Sequence, residues 1–211
     1  MSRTIWIIRH GNRQDFTDPH WREQATRPDD PDLSEDGILQ SRELAQRLQP
    51  EPIEHLFSSP YLRTMHTAAF CARQRGQAIK VEDGIGEWLD PAKFSEPPRL
   101  LSRSELARRF PVQEDHQAIY RPVFPESTET LLIRCRLVIN QILASTSGNL
   151  LLVGHGASCK ALVFALLRET FSLHMPLCSL TELVKQNGSW HLRMNGDTSF
   201  LSSGPLHADR F

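Results

Sequence analysis

The chain has 211 residues, 39% hydrophobic and 23% charged, with 24 Lys and Arg against 25 Asp and Glu for a formal net charge of -1. That composition predicts a packed core, long enough for one large α/β domain, and excludes a disordered chain. The even charge argues against the broad basic surface that nucleic acid or a membrane face requires, while leaving room for a small basic pocket.

The first predicted element is also the most informative. Thr4-Ile5-Trp6-Ile7-Ile8 is apolar without interruption and stops at Arg9-His10-Gly11. An apolar run of this length suits a parallel strand covered on both faces, and ligands in open α/β sheets bind beyond the carboxyl ends of such strands. A guanidinium beside an imidazole at that place suits an anion, most plainly phosphate, and Gly11 lets the backbone turn sharply and approach a ligand closely. The run is too short for a signal-peptide core, and no stretch reaches transmembrane length, so a cytoplasmic location is expected.

Gln14 to Asp32 follows as a polar, proline-dotted loop without periodicity. It leaves the strand beside His10 and can arch over the same site, with Phe16 and Trp21 either touching substrate or anchoring the loop. Ser34 caps a helix whose buried face carries Ile38, Ser41, Leu44, Ala45 and Leu48, closed by Pro50 and Pro52. Ile53 to Phe57 reads as a strand ended by Ser58-Ser59-Pro60. The next helix buries Tyr61, Leu62, Met65, Ala68, Ala69 and Ala72 and brings Arg63 to the strand's carboxyl end. His66 reads as a neighbour or surface residue.

Ala78 to Val81 is a third strand, leading into Asp83-Gly84-Ile85-Gly86-Glu87, a loop of tight geometry that delivers a carboxylate to the same rim. Residues 93 to 126 say least, apart from a short helix over Ser104 to Phe110. A long helix then runs from Ser127 to about Ser145. Asn149 to Val153 repeats the first strand's design and ends at Gly154-His155-Gly156. A helix follows whose first N–H groups, around Ala157, suit an anion. If the two apolar strands are neighbours, about 4.8 Å apart, the two histidines face each other. Leu180 to Gln186 and Trp190 to Met194 form a hairpin around Asn187-Gly188, a favoured two-residue turn, with Trp190, Leu192 and Met194 on one face at the sheet edge. The same Asn187-Gly188-Ser189 matches a glycosylation acceptor but is better read as that turn. Cys71, Cys135, Cys159 and Cys178 are widely spaced, and three lie in apolar helical patterns; they read as buried hydrophobes of a reducing compartment rather than zinc ligands or disulfides. The tail from Gly196 carries Pro205 and His207 and no motif.

Four strand-to-helix junctions thus send polar residues to one rim: Arg9 with His10, Arg63, Glu87 and His155. Two arginines can grip a phosphoryl dianion and stabilise its charge during transfer. A neutral imidazole is a competent nucleophile if its far nitrogen carries the proton, ideally bonded to a backbone carbonyl. A carboxylic acid can protonate a departing alkoxide.

On these residues the sequence resembles the histidine phosphatase, or phosphoglycerate mutase-like, superfamily. Arg9-His10-Gly11, Leu33-Ser34-Glu35-Asp36-Gly37 with Gln40, Ser58-Ser59-Pro60-Tyr61-Leu62-Arg63-Thr64 with Thr67-Ala68, and His155-Gly156 match its signatures in order and spacing, over residues 4 to 168. Arg13, Gly84-Ile85-Gly86-Glu87-Trp88 and Tyr120-Arg121-Pro122-Val123-Phe124-Pro125 look closer to one branch, the phosphatase domain of the suppressors of T-cell receptor signalling and the ecdysteroid-phosphate phosphatases. That branch also carries an insertion after the triplet; its attached domains are not expected from these residues, so its biology is not expected to carry over.

The resemblance implies a three-layer α/β sandwich with a mostly parallel sheet in a single domain over 1–211, with 14–32 and 90–126 as insertions near the site. It implies a metal-independent phosphomonoester hydrolase without cofactor. His10 would be the phosphohistidine and Glu87 the acid and base. Arg9, Arg13, Arg63 and His155, with Gly156 and Ala157, would hold the phosphate. The expected partner is a small-molecule or phosphopeptide monoester, with no nucleic acid and no membrane, and a homodimer is left open. A phosphomutase and a non-catalytic phosphate-binding module are the alternatives.

Overall fold

The computed structural model describes residues 3–204. A six-stranded sheet in the order β3-β2-β4-β1-β5-β6 forms its middle layer. Strands β1 (Arg3–Arg9), β4 (Leu150–Gly154), β2 (His55–Ser58) and β3 (Lys80–Val81) run parallel, while β5 (Leu180–Gln186) and β6 (Ser189–Asp197) extend the sheet antiparallel from β1.

The period of two along β1 explains the layers. Trp6 and Ile8 enter a core shared with helices α3 (Glu35–Leu48), α4 (Leu62–Arg75) and α5 (Arg103–Ala107). Ile5 and Ile7 enter the opposite core, against α6 (Thr128–Ser145) and α7 (Gly156–Leu167). Both faces of the strand are dry, and each fully buried isoleucine contributes roughly 1.5–3 kcal/mol relative to exposure. That is why the strand reads as an unbroken apolar run. The expected α/β sandwich is therefore the fold observed.

Three details differ from the expectation. The Gln14–Asp32 segment holds two short helices, α1 (Gln14–Thr17) and α2 (Trp21–Gln24); one turn each is too short to show a helical period in sequence. The second and third strands begin two residues late, and Ile79 instead makes an isolated parallel bridge with Val112. In the hairpin, Asn187 (φ 51°) and Gly188 (φ 85°) form the expected left-handed turn. However, a register shift between the Glu182 and Leu183 pairings re-aims β6: Trp190 and Leu192 pack on the α6/α7 side, Met194 on the other. A bulge inserts one residue and so inverts the facing of the residues beyond it. Pro205 and His207 lie outside the described residues.

The first turn of α3 sits hard against the chain leaving β1. Ser34 caps it as expected, accepting from the Gly37 N–H at 3.1 Å. The Ser34 N–H donates to the Asn12 carbonyl at 3.0 Å. A Cβ at position 37 would lie 2.1 Å from that carbonyl oxygen, and a Cβ at position 11 would lie 2.9 Å from the Gly37 oxygen. The close approach that Gly11 permits is therefore to α3, not to a ligand. Gly37→Ala must push two backbone segments apart; urea unfolding should show it less stable by about 1–3 kcal/mol, the usual range for overpacking.

Candidate active site

The parallel pairing of β1 with β4 sets Arg9 opposite Gly154, so the next residues, His10 and His155, emerge side by side. The His10 N–H donates to the Gly154 carbonyl at 3.1 Å, and the two imidazole centroids are 5.3 Å apart. Beyond β2, the Ser59 N–H donates to Val153 at 3.0 Å, and the first turn of α4 swings Arg63 inward. Beyond β3, a 3₁₀ turn (Asp83–Ile85) carries the chain to Glu87. Arg63 Nη2 and Glu87 Oε2 are 3.2 Å apart, and His155 Nδ1 stands 3.3 Å from the same oxygen, off hydrogen-bond alignment. Four junctions far apart in sequence thus meet at one point.

His10 Nδ1 lies 2.8 Å from the Gly11 carbonyl. A carbonyl can only accept, so this nitrogen carries the proton and Nε2 is left bare. Burial, then the charges of Arg63, His155, Arg9 and Arg13, hold His10 well below the ordinary histidine range, so it is neutral at pH 7. Burial likewise draws His155 down to about 4, against the pull of Glu87. Burial opposes a charge on Glu87, but the attraction of His155 and Arg63 outweighs it and holds the carboxyl well below its usual range. With His155 neutral at pH 7, Arg63 is the cation that keeps Glu87 ionised there.

Arg63 is fully buried, and its Nε and Nη1 have no hydrogen-bond partner. Its guanidinium lies 4.6 Å from the Tyr61 ring centroid, and the same ring meets His155 edge-on at 4.9 Å. Unsatisfied N–H groups on a buried cation are costly, and they are the donors an anion would occupy. Arg9 donates to the Met175 carbonyl at 2.7 Å. Arg13 is bound through its Nε to Asp15 at 2.8 Å and stacks on Phe16, 4.3 Å from the ring centroid. Its charge is nonetheless felt by His10 and Arg63. Gly156 and Ala157 open α7 and, with Arg9, His10 and Glu87, line a cavity of about 560 Å³. Its outer wall carries Trp88, Lys93, Lys160 and His174, the last three exposed, so the cavity opens to solvent. A larger groove of about 690 Å³ between α6 and α7 is lined by Leu132, Ile133, Arg136 and Phe164 and holds none of these residues.

Several supporting residues carry contacts that the sequence did not assign: Ser59, Thr67 and Gln40 stood there only as signature matches, and Asp30, Glu126 and Arg134 not at all. Ser59 Oγ is 2.8 Å from His155 Nε2 and fixes that ring. Thr67 Oγ1 accepts from the Gly11 N–H at 3.1 Å, and Gln40 Oε1 from the Asn12 N–H at 2.9 Å. Asp30, buried, accepts from the Leu62 N–H at 2.8 Å and caps α4 from a distance; burial pushes its carboxyl up to about 7. The Glu87 loop is held from behind. Arg134 on α6 pairs with Glu126 through two bonds of 2.7 Å, and donates to the carbonyls of Gly84 (2.9 Å), Gly86 (3.4 Å) and Glu87 (3.3 Å). Trp21 spends its indole N–H on the Pro28 carbonyl at 2.9 Å, inside its own segment. His66 pairs with Asp32 at 2.9 Å, beside the site rather than in it. All four cysteines are free and buried, and burial pushes the Cys71 and Cys135 thiols up to about 12, which leaves them inert. Among the described residues no group of three or more His, Cys, Asp or Glu side chains is placed to hold a metal ion, and no helix is long and apolar enough to cross a membrane.

Known proteins share this fold and parts of this sequence. The ecdysteroid-phosphate phosphatase of Drosophila melanogaster is 29% identical over 243 residues, covering 90% of this chain and 32% of that protein. The chain therefore spans about a third of the length of that relative. A probable phosphoglycerate mutase GpmB of Photorhabdus laumondii is 27% identical, covering 88% of this chain and 86% of its own. Among solved structures, an ecdysone phosphate phosphatase from Bombix mori in complex with tungstate superposes with a TM-score of 0.78 at 20% identity, covering 92% of this chain and 93% of that one. A family model matches residues 5–198. The protein whose paired strands bring His10 and His155 together belongs to the histidine phosphatase superfamily, branch 1.

Proposed function

We propose that the protein is a phosphomonoester hydrolase working through a phosphohistidine at His10. The observation that carries this reading is the buried imidazole with Nδ1 committed to the Gly11 carbonyl and Nε2 bare, beside a buried guanidinium whose Nε and Nη1 lack partners. His10 Nε2 attacks phosphorus; the P–O bond to the alcohol breaks, and its electron pair leaves on the ester oxygen, which takes a proton from Glu87. Water then attacks phosphorus while Glu87 accepts its proton; the P–N bond breaks with its electron pair returning to Nε2, releasing phosphate and restoring His10. Arg9, Arg13, Arg63 and His155, with the N–H groups of Gly156 and Ala157, hold the phosphoryl oxygens. The substrate is a small-molecule or phosphopeptide monoester. The opening of the cavity to solvent favours release to water over return to product, so hydrolysis is preferred to a mutase.

Glu87 is ionised in the free site, so the acid's proton must arrive with substrate. A phosphate monoester dianion placed beside the carboxylate raises its pKa, and a monoanion brings the proton itself. Either way the productive complex holds one proton more than free enzyme and dianion. With a phosphate second pKa of about 6, kcat/KM for alkyl phosphates should fall as pH rises above that value. Glu87→Gln should lower kcat/KM for alkyl phosphates by about 10²- to 10⁴-fold, and that for p-nitrophenyl phosphate, whose leaving group needs no proton, far less, because kcat/KM reads only the steps up to the phosphoenzyme. Equal losses would remove Glu87 from the acid's role. No phosphate release by the unmodified protein from any monoester would end the hydrolase reading.

A further inference from the structure

Glu87 lines two cavities. The first is the phosphate cavity with Arg9 and His10 in its wall. The second, of about 350 Å³, also has Glu87 in its wall, together with Tyr61, Leu89, Pro98, Leu100, Leu101 and Leu106. Its walls come from α4's entry, from the loop past Glu87 and from the segment around α5, so the 90–126 insertion builds most of it. The charged residues at its edge are turned to one another: Arg103 lies 2.7 Å and Arg121 3.6 Å from Asp83. What remains facing the hollow is predominantly proline, leucine and an aromatic ring, with few polar groups to reward a charged or hydroxylated guest.

We propose that this cavity receives the alcohol half of the substrate, and that the alcohol is apolar: a short alkyl chain or a small aromatic ring. The inference rests on the hydrolase reading and deepens it. An acid that protonates a leaving oxygen must lie within hydrogen-bond reach of it, so the departing group starts out beside that acid. Glu87 forms the boundary between a hollow lined by Arg9 and His10 and one lined by leucine and proline. The volume sits at the small end of ligand pockets, which run from roughly 300 to 1,000 Å³, so a compact body fits it better than a polycyclic one. Burying each methylene there gains about 0.8 kcal/mol, or about a fourfold tighter complex.

The test uses n-alkylphosphonates, which carry the phosphoryl oxygens and a chain but have no ester to cleave. Their binding, measured by calorimetry from ethyl to hexyl, is read independently of turnover. The expected result is a Kd falling about three- to fourfold per added methylene, and a slope flattened toward zero in Leu100→Asp. Leu100 is only half-buried, so the substitution does not open the core; thermal unfolding of the variant checks that it folds. A flat series in the unmodified protein, no binding at all, or a slope unchanged by Leu100→Asp overturns the assignment. Failure of the hydrolase reading is separate: phosphonates then bind with the expected slope while no monoester releases phosphate.

Discussion

His10→Ala will retain the fold and lose essentially all phosphate release, by about 10⁴-fold or more, as expected when a nucleophile is removed from machinery that works as a unit. The fold should survive because the backbone of residue 10 carries the structural contacts. Its N–H donates to Gly154, and its carbonyl accepts from the Cys178 N–H at 3.0 Å. Only the bond from Nδ1 to Gly11 is lost with the ring. The measurement is a pair. Steady-state phosphate release falls to background, and rapid acid-free quenching with labelled substrate traps a covalent phosphoenzyme in the unmodified protein but not in the variant. A phosphoenzyme that is stable to acid, or label still incorporated without His10, would show that another group takes the phosphoryl.

Arg63→Met should separate activity from stability. The guanidinium is buried with one hydrogen bond, to Glu87 at 3.2 Å, and with Nε and Nη1 unpartnered. Burial and the charge of Arg13 both work against its cation, and Glu87 and Asp30 only partly support it. An apolar side chain of similar length removes those unsatisfied donors. Glu87 is then free to take up a proton, since His155 is neutral at pH 7. Removing one partner of a buried pair is strongly destabilising when it strands the other's charge; here protonation of Glu87 removes that charge, and the unsatisfied donors go with the guanidinium. The variant should therefore melt close to the parent. Its turnover should fall by about 10²- to 10³-fold, the scale of removing one preorganised donor to a developing anion. A variant that melts well below the parent would show that Arg63 holds the fold together rather than waiting for substrate.

The strands whose two faces are both dry were the easiest part of this protein to read, because such a strand has no polar alternation to disguise it. Their endings were legible for a related reason. A charged or titratable residue that follows an apolar run has few places to go except the rim of the sheet, and Arg9, His10 and His155 are all found there. The residues that hold those side chains were not legible, since they are recognisable only by what they touch. Ser59 and Thr67 stood out only as parts of a signature, and what they hold becomes plain when His155 and the Gly11 N–H are set against them. Asp30 caps a helix whose first residue is 32 positions away. Arg134 did leave a trace: it lies three residues after Leu131, on the same stripe as Cys135 and Val138, and a guanidinium on a buried stripe needs a partner. Glu126, eight residues earlier, is that partner. The bulge that turns Met194 away from Trp190 leaves no such mark, because alternation in sequence looks the same before and after a register shift.

The Arg134 contacts have a consequence for how such a site can change. They hold main-chain oxygens, at Gly84, Gly86 and Glu87, and not the side chains of that turn. A Cβ at position 84 would come within 2.4 Å of Val138, so the path itself demands glycine there. The trajectory of the chain and the reactivity it presents are thus specified by different residues. New chemistry could be installed at position 87 while the route past it is preserved, and the route could be redrawn from α6 without altering a single group that meets the substrate.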